Sequence, residues 1–432
     1  MAEWTTTTLG SIADIEFGNP FKSSDYGAAG SGPRLLRGDN IAQGRLRWDG
    51  AKHWPADKAS GLERYALREG DVVLAMDRPW IDAGLKYARV SSADMPALLV
   101  QRVARLRGTD HIDAGYLRYL IGSRSFTDYV LGIQTGTAVP HISGGQIRAY
   151  SFRLPTVIEQ RAMARILGSL DDKIEVNRRM NETLEAMARA LFKSWFIDFD
   201  PVHAKARGER PVGMDTTTAA LFPSKLIQSG HGEIPEGWSH RPLDSIATFL
   251  NGLALQKFPA GDGPALPVIK IAEMRAGVTP KSDRAAMTIP PQYIIGDGDL
   301  LFSWSGSLEI IIWTGGRGAL NQHLFKVSSQ LLPAWFLLGG VRQHLGGFQA
   351  IAASKATTMG HIQRHHLTEA LVAVPPPDVL ARAGNVLEPL HSRIIANSQE
   401  AKTLATLRDT LLPPLLSGEL RVSKAERAAE AA

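Results

Sequence analysis

Apolar residues recur every three or four positions along two long stretches of this chain, and this spacing predicts amphipathic helices. The first stretch follows Pro155 and opens with Thr156-x-x-Glu159, the pattern of a capping box. The second begins at Asp378 and repeats the same seam 220 residues later. The seam positions expected to pack helix on helix or to dock a partner are Leu170, Ile174, Asn177, Leu184, Leu191, Leu390, Ile394, Asn397, Leu404 and Leu411.

The matching seams predict that the two helices pair with each other as an antiparallel coiled coil. Asn177 and Asn397 occupy equivalent seam positions, where a buried polar residue lowers stability but fixes the register. The alternative is that two ordinary amphipathic helices pack on separate cores.

Three features of the helical stretches carry expectations of their own. Pro413-Pro414 is expected to end or kink the second helix before Leu415. Arg408 interrupts its seam and is expected to face a partner or solvent. Asp171-Asp172-Lys173 lies beside the first seam and is expected to form a solvated face.

Short apolar runs predict β-strands outside the helices. The runs are Asp71–Ala75, Val100–Leu106, Leu300–Trp304, Ile310–Trp313 and Leu324–Val327. Together with short helices such as Ala114–Leu120, they predict an α+β fold for the globular parts of the chain.

An ordered series of matches indicates that the globular part is duplicated. Trp4-x4-Leu9-x-Ser11-Ile12-Ala13-x4-Gly18 recurs 234 residues later from Trp238 to Gly252, and the offset falls to 220 by the last matches, as expected when loops lose residues. The later matches pair Gly70-Asp71 with Gly298-Asp299, Gln101-Arg102 with Gln322-His323, and His141-Ile142 with His361-Ile362. The predicted organisation is a first module (1–155), a central helix (156–200), a linker (201–234), a second module (235–377), a distal helix (378–420) and a tail (421–432).

Composition excludes several classes of protein. The 432 residues include no cysteine, so disulfide scaffolds, cysteine-ligated zinc, iron–sulfur clusters and thiol nucleophiles are excluded. No apolar run reaches the roughly 18–20 residues of a membrane span, and residues 1–10 do not resemble a signal peptide, so a cytoplasmic location is expected. The chain has no phosphate-binding loop and no metal-ligand motif, which predicts that it carries neither a catalytic site nor a metal of its own.

Two modules joined by long helices suit a long ligand with two separated sites, and the net charge of +5 fits DNA in sign. Arg, Asn and Gln match the edges of guanine and adenine, while Lys and Thr suit phosphates. Candidate DNA-binding residues in the first module are Arg34, Arg37, Asp39, Asn40, Arg78, Lys86, Gln101, Arg102 and His141. Those in the second module are Lys270, Glu273, Arg275, Asn321, Gln322, His323, Lys355, Thr357, Thr358 and His361.

The order of these elements resembles the specificity subunit of type I restriction-modification systems over nearly the whole chain. The helix and junction motifs that carry the resemblance are Leu170-Asp171-x-Lys173-Ile174-x-x-Asn177, Trp195-Phe196-x-Asp198-Phe199-Asp200-Pro201, Glu233-Ile234-Pro235-x-Gly237-Trp238 and Leu411-Leu412-Pro413-x-Leu415-Leu416-Ser417-Gly418-Glu419-Leu420.

The resemblance implies that each module is a target recognition domain that reads one half of a bipartite, asymmetric DNA sequence. The helices would set the gap between the half-sites and dock two methyltransferase subunits. Those partners would bind S-adenosylmethionine and methylate adenine. Restriction subunits would add ATP- and Mg²⁺-dependent cleavage.

Two other functions remain open at this point: a non-catalytic two-domain protein-interaction scaffold, and a regulator that binds two DNA sites. A scaffold would bind no DNA even beside a methyltransferase. A regulator would bind DNA alone, and its deletion would leave adenine methylation unchanged.

Overall fold

The computed structural model describes residues 4–81, 84–136, 139–354, 360–422 and 425, and these divide into two units. Unit 1 comprises Met1–Ile174 and Thr403–Ala432, and unit 2 comprises Glu175–Lys402. Each unit therefore contains one predicted module and one part of each long helix. No helix in the described part of the chain is both long and apolar enough to cross a membrane.

Unit 1 is built from short strands and helices. Its strands are β1 (Thr5–Thr8), β2 (Asp14–Phe17), β3 (Arg34–Leu36), β4 (Gln43–Gly44), β5 (Val72–Ala75), β6 (Trp80–Ile81), β7 (Gly84–Leu85), β8 (Tyr87–Arg89), β9 (Ala97–Leu99), β10 (Val103–Arg107) and β11 (Ser151–Leu154). Its helices are α1 (Leu9–Ile12), α2 (Ala114–Ile121), α3 (Arg124–Ile133), α4 (Gly144–Ala149), the first part of α5 (Val157–Phe196) and the last part of the distal helix, from Thr403 onward. The main sheet has the order β2-β10-β5-β8-β4, and β5 is buried along its whole length, as its continuous apolar run predicts.

Unit 2 repeats this plan with additions. Its strands are β12 (Leu226–Ser229), β13 (Gly232–Pro235), β14 (Ser239–Pro242), β15 (Thr248–Asn251), β16 (Ala265–Ile269), β17 (Arg284–Ala286), β18 (Ile294–Ile295), β19 (Leu300–Ser303), β20 (Glu309–Ile312), β21 (Gly318–Leu320), β22 (Leu324–Ser328) and β23 (Leu371–Val374). Its helices are the later part of α5, α6 (Asp200–Ala206), α7 (Thr216–Leu221), α8 (Leu243–Ile246), α9 (Ile271–Ala276), α10 (Ala334–Ser354), α11 (Arg364–Glu369) and most of α12 (Pro377–Ser417).

Strand pairing confirms the internal repeat. The antiparallel trio β2-β10-β5 of unit 1 corresponds to β15-β22-β19 of unit 2, and the pair β1-β11 corresponds to β14-β23. Matching glycines show how closely the copies agree. A Cβ on Gly18 would lie 2.0 Å from the carbonyl oxygen of Val100, and one on Gly252 would lie 2.2 Å from that of Asn321. Both positions therefore require glycine because another backbone passes against them.

The two long helices contact each other in an antiparallel sense within each unit. In unit 1, Trp4 lies against Gly418 and donates to Glu159, while Asp171 pairs with Arg408. Residue 159 of α5 thus lies near the C-terminal end of α12, whereas residue 171, later in α5, lies near a turn that comes earlier in α12. The predicted capping box is confirmed, since the Thr156 amide donates to Glu159 Oε2 at 3.0 Å and the Glu159 amide donates to Thr156 Oγ1 at 3.3 Å.

In unit 2, the later part of α5 packs against the earlier part of α12 through a polar seam. Asn397 is fully buried and donates from Nδ2 to Asn181 Oδ1 at 2.9 Å. Asn181 in turn donates to the carbonyl oxygen of Ile394 at 3.1 Å and to Ser398 Oγ at 2.9 Å. Asn177 is buried as well. A one-turn slip of either helix would leave these side-chain amides buried without hydrogen-bond partners. The geometry therefore agrees with the expectation that seam asparagines fix the register.

The expectation of a solvated face at residues 171–173 is wrong for Asp171. Its side chain is only 10% exposed and accepts from Tyr119 at 2.6 Å, from Arg118 at 2.9 Å and from Arg408 at 2.6 Å. The repeat in the sequence gives no sign that α2 supplies two of these donors. Burial raises the pKa of Tyr119, so its hydroxyl is a neutral donor. Arg408 therefore faces a carboxylate inside unit 1, not bulk solvent.

The distal helix does not end at Pro413-Pro414, one of the two outcomes expected from the sequence, because α12 continues to Ser417. Two prolines remove two backbone donors and free the carbonyls four residues earlier. Those carbonyls belong to Asp409 and Thr410, which are exposed to water. Leu411 and Leu415, on the opposite side, are buried in the core of unit 1 and hold the last turn in place.

The segment predicted to be a linker, 201–234, is folded onto unit 2. It contains α6, α7 and the hairpin of β12 and β13. Val202, Met214, Phe222 and Ile234 are buried in the same core cluster as Trp195 and Trp238. Its many polar residues suggest a solvated connection, but these few apolar side chains, spaced widely along the sequence, attach it to the core.

Replacing the buried Asp171 should destabilise unit 1. Asp171→Asn removes the charge that compensates Arg118 and Arg408, and breaking such a partly buried network costs about 3 kcal/mol. Hydrogen exchange of a peptide covering residues 157–174 would report the loss. Asp172→Asn is the matched control, since Asp172 is exposed one residue away. Equal effects of the two substitutions would contradict the structural role of Asp171.

Unit 2 should lose stability in mild acid through His391. Burial, and then the positive charge of Arg342, lowers the pKa of this histidine, and its Nε2 has no partner among the described residues. The unfolded chain takes up the proton near pH 6.5, whereas the folded unit resists it. The stability that unit 2 gains from keeping His391 neutral is fully present above about pH 6.5 and is lost as the pH falls below that value.

His391→Gln should therefore flatten the dependence of unit 2 stability on pH between about 7 and 5, measured by urea unfolding. His203→Gln is the control, because His203 is exposed in the same unit. An unchanged pH profile for His391→Gln would show that this imidazole does not contribute.

Candidate nucleic-acid interface

The same backbone junction follows the central strand in both modules. In unit 1, the amide of Ile142 donates to the carbonyl of Met76 at 3.0 Å, and that of Arg78 donates to Pro140 at 2.6 Å. We call residues 76–78 with 140–142 the strand-exit junction of unit 1. It holds a loop against the end of β5, where side chains from both segments meet.

Unit 2 has the same junction at residues 304–306 with 360–362. The amide of Ile362 donates to the carbonyl of Trp304 at 3.0 Å, and that of Gly306 donates to Gly360 at 2.8 Å. Both backbone hydrogen bonds are thus reproduced, although four of the six side chains differ.

In unit 1, Asp77 connects the junction to the candidate residues. One oxygen, Oδ1, lies 2.6 Å from His141 Nδ1 and 3.7 Å from Arg102 Nη1. The short contact fixes the carboxylate, and the longer one leaves the guanidinium loosely tethered. Asp77 was not among the residues selected from sequence. Asp77 precedes Ser305 by 228 residues, the same offset that separates Gly70 from Gly298. The repeat in the sequence could therefore have pointed to it.

A cleft of about 470 Å³ opens beside this junction, and we call it the basic cleft. The sequence candidates that line it are Arg37, Asp39, Arg78, Lys86, Gln101 and Arg102. Ser23, Tyr26, Gly38, Asp77, Val100 and Val139 complete the lining. Residues far apart in sequence therefore converge on one surface, as the DNA-binding hypothesis requires.

The basic cleft carries a positive excess. Four cationic side chains face two carboxylates, those of Asp39 and Asp77. The pKa of Lys86 is lowered, mainly by burial. The positive charge of Arg78 also lowers this pKa, whereas the carboxylates of Asp39 and Asp77 raise it in part. The net positive charge of this concave surface attracts anions, so the cleft suits a phosphate-bearing ligand.

Two candidates of the first module hold its backbone instead of lining the cleft. Arg34 donates to the carbonyl of Ala93 at 2.8 Å, and its guanidinium lies 4.3 Å from the Trp48 ring centroid. Asn40 is buried, accepts from the Arg37 amide at 3.0 Å and donates to the Arg47 carbonyl at 3.0 Å. Their polar groups are occupied within the protein.

In unit 2, the equivalent surface is built around Trp304, a residue that the sequence did not single out. The Trp304 ring lies 6.0 Å from that of His323 and 6.1 Å from that of His361, centroid to centroid. Ser305 Oγ is 3.1 Å from His323 Nδ1, and Gln322 Nε2 is 3.4 Å from His323 Nε2. Three sequence candidates, Gln322, His323 and His361, are therefore brought together.

The other candidates of the second module lie in ion pairs or in the backbone frame. Lys270 pairs with Asp283, and its amide donates to Glu273 at 3.2 Å. Arg275 pairs with Glu309 at 3.0 Å. Asn321 is buried and accepts the His323 amide at 3.2 Å. Lys355, Thr357 and Thr358 fall outside the described residues.

Three potential metal ligands lie together on α11 but do not form a metal centre. The ligand atoms of His365, His366 and Glu369 are within 4.8 Å of one another. However, His366 Nδ1 accepts the backbone N–H of Gln363 at 2.9 Å. In the neutral ring Nε2 then carries the proton, so this histidine has no lone pair left for a cation.

Comparisons with known proteins agree with this architecture. The sequence model of the type I restriction modification DNA specificity domain matches residues 1–186. The type I restriction enzyme MjaIX specificity subunit of Methanocaldococcus jannaschii is 26% identical over 346 residues, covering 78% of this chain and 76% of that protein. The HindI specificity subunit of Haemophilus influenzae is 24% identical over 477 residues, covering 97% of this chain and 100% of that protein.

The fold is that of an S subunit of a type I restriction-modification system. The crystal structure of such a subunit from M. genitalium matches with a TM-score of 0.55 and 14% identity, covering 96% of each chain. The sequence matches agree with this fold, since the chain is similar to the two specificity subunits over 78% and 97% of its length and to the DNA specificity domain over residues 1–186. The predicted α+β class and the resemblance to specificity subunits are thereby confirmed.

Proposed function

We propose that this chain is the DNA-recognition subunit of a type I restriction-modification complex, in which each module reads one half of a bipartite, asymmetric target. The observation that carries this is the strand-exit junction, whose backbone bonds recur while four of its six side chains change. Arg102 and Asp77 in unit 1 stand where His323 and Ser305 stand in unit 2. One frame with two sets of side chains is what reading two different half-sites requires.

The long helices are proposed to dock two methyltransferase subunits. Supporting this, large apolar side chains on the long helices are exposed to water, where a partner could cover them. They are Ile158, Val176 and Met187 on α5 and Val386 on α12. Each docked subunit would bring its own S-adenosylmethionine and methylate an adenine in one half-site.

Cleavage is proposed to require further restriction subunits, with ATP and Mg²⁺ bound on those partners. This division follows from the sequence of this chain, which offers none of the phosphate-binding motifs that such chemistry uses.

The complete complex should bind DNA far more tightly than this chain alone. A net charge of +5 over 432 residues gives little counterion release, so we expect weak, salt-sensitive binding by the isolated chain. Electrophoretic mobility shift with the chain alone, and then with methyltransferase subunits, tests this at physiological salt. Nanomolar sequence-specific binding by the chain alone would contradict it, and absence of DNA binding by the complex would favour a protein scaffold.

Lengthening both long helices by one heptad should widen the gap between half-sites. Seven helical residues add about 10 Å, which corresponds to about 3 base pairs. The insertions belong between Ile174 and Glu175 and between Lys402 and Thr403, where the two units divide. Methylation mapping would give the new gap.

A seven-residue insertion between Gly208 and Glu209 is the control, since this exposed turn lies outside both long helices. The proposal expects the control to leave the gap unchanged. If the heptad variant also keeps the original gap, the helices do not set it.

A further inference from the structure

Two of the arginines in the basic cleft have an unusual backbone. Among the described residues, left-handed φ values outside glycine occur at Arg78 (45°), Arg102 (67°) and Phe199 (54°). Side chains with a Cβ rarely adopt this conformation because the Cβ crowds the following carbonyl. Two of the three such residues therefore line one cleft, which points to a use for their side chains that offsets the strain.

Unit 2 shows what the fold itself needs at the first of these positions. Gly306 stands where Arg78 stands, with a φ of 66° and the same amide bond to the opposite loop. Glycine thus satisfies the turn without strain. The Arg78 side chain is exposed and makes no hydrogen bond or ion pair with the described residues. Its guanidinium is therefore dispensable for folding.

Arg102 differs from Arg78 because it has a partner. Asp77 lies 3.7 Å from its Nη1, and the carboxylate is itself fixed by His141 at 2.6 Å. A guanidinium that is 58% exposed and has a carboxylate on one side only keeps its remaining donors available for a ligand. The planar fork of such an arginine can pair with O6 and N7 of guanine, whereas Arg78, which has no carboxylate partner, suits a phosphate.

We propose that Arg102, which lies beside Asp77 in the basic cleft, reads a guanine in the half-site recognised by unit 1, and that Arg78 binds the adjacent phosphate backbone. This inference rests on the proposed DNA-recognition function and refines it. Unit 2 carries His323 and Gly306 at the equivalent positions, so it has neither guanidinium there. The two modules then differ in how they read DNA, not only in which bases they read.

The test uses the chain assembled with its methyltransferase subunits and a randomised duplex library from which the wild-type complex selects its target. Arg102→Lys keeps the charge but loses the fork, so discrimination for one guanine in one half-site should fall by about tenfold to a hundredfold. The preferences in the other half-site should not change. Undiminished guanine discrimination by Arg102→Lys would overturn the assignment of Arg102.

Arg78→Gly is the companion variant, since it reproduces the residue at the equivalent position of unit 2. It should weaken binding to all sequences alike and reduce the salt dependence by about one phosphate contact. Its thermal unfolding temperature should stay the same or rise, because glycine removes the strain. A fall in stability, or an unchanged salt dependence, would instead assign Arg78 a structural role and overturn its part of the proposal.

Failure of this inference is distinguishable from failure of the proposed function. A wild-type complex that selects no sequence from the library overturns both. A wild-type complex that selects a bipartite sequence, while Arg102→Lys and Arg78→Gly behave like it, overturns only the assignment of these two arginines.

Discussion

The pair of backbone hydrogen bonds that fastens a loop to the end of the central strand is the constraint on which each module depends. Residues 140–142 reach residues 76–78 through these bonds, and residues 360–362 reach 304–306 in the same way. Backbone groups buried at such a crossing must pair, whatever the side chains are. The frame is therefore insensitive to sequence at the positions that face outward, which leaves those side chains free to differ between the modules.

Sequence periodicity predicted the long helices well because their seams are local. The helix predicted at 156–200 corresponds to α5 at Val157–Phe196, and the helix predicted at 378–420 corresponds to α12 at Pro377–Ser417. The prediction failed where the deciding contact came from elsewhere in the chain. Asp171 looks like a surface residue in its own helix, and only the arrival of Arg118 and Tyr119 from α2 makes it buried.

The candidate interface was predictable to the extent that the repeat could be aligned. The offsets align Arg102 with His323 and His141 with His361. In the structure, the members of each pair occupy equivalent places beside the strand-exit junctions of their own units. Composition alone could not separate Arg34 and Asn40, whose polar groups serve the backbone, from Arg78, whose side chain is unpaired. Whether a polar group is already satisfied is a three-dimensional property, and a list of residue types does not contain it.

The division between backbone and side chain also explains how strain can persist in unit 1. An arginine in a left-handed turn costs energy, but the turn is imposed by bonds that do not involve the side chain, so the fold tolerates Arg78 where unit 2 has Gly306. A module built this way can change its surface chemistry one residue at a time, and any backbone strain stays confined to the turn that carries the new side chain. The weak net charge of the whole chain is compatible with such a surface, because four cations gathered in one cleft act on a ligand more strongly than the same charges dispersed.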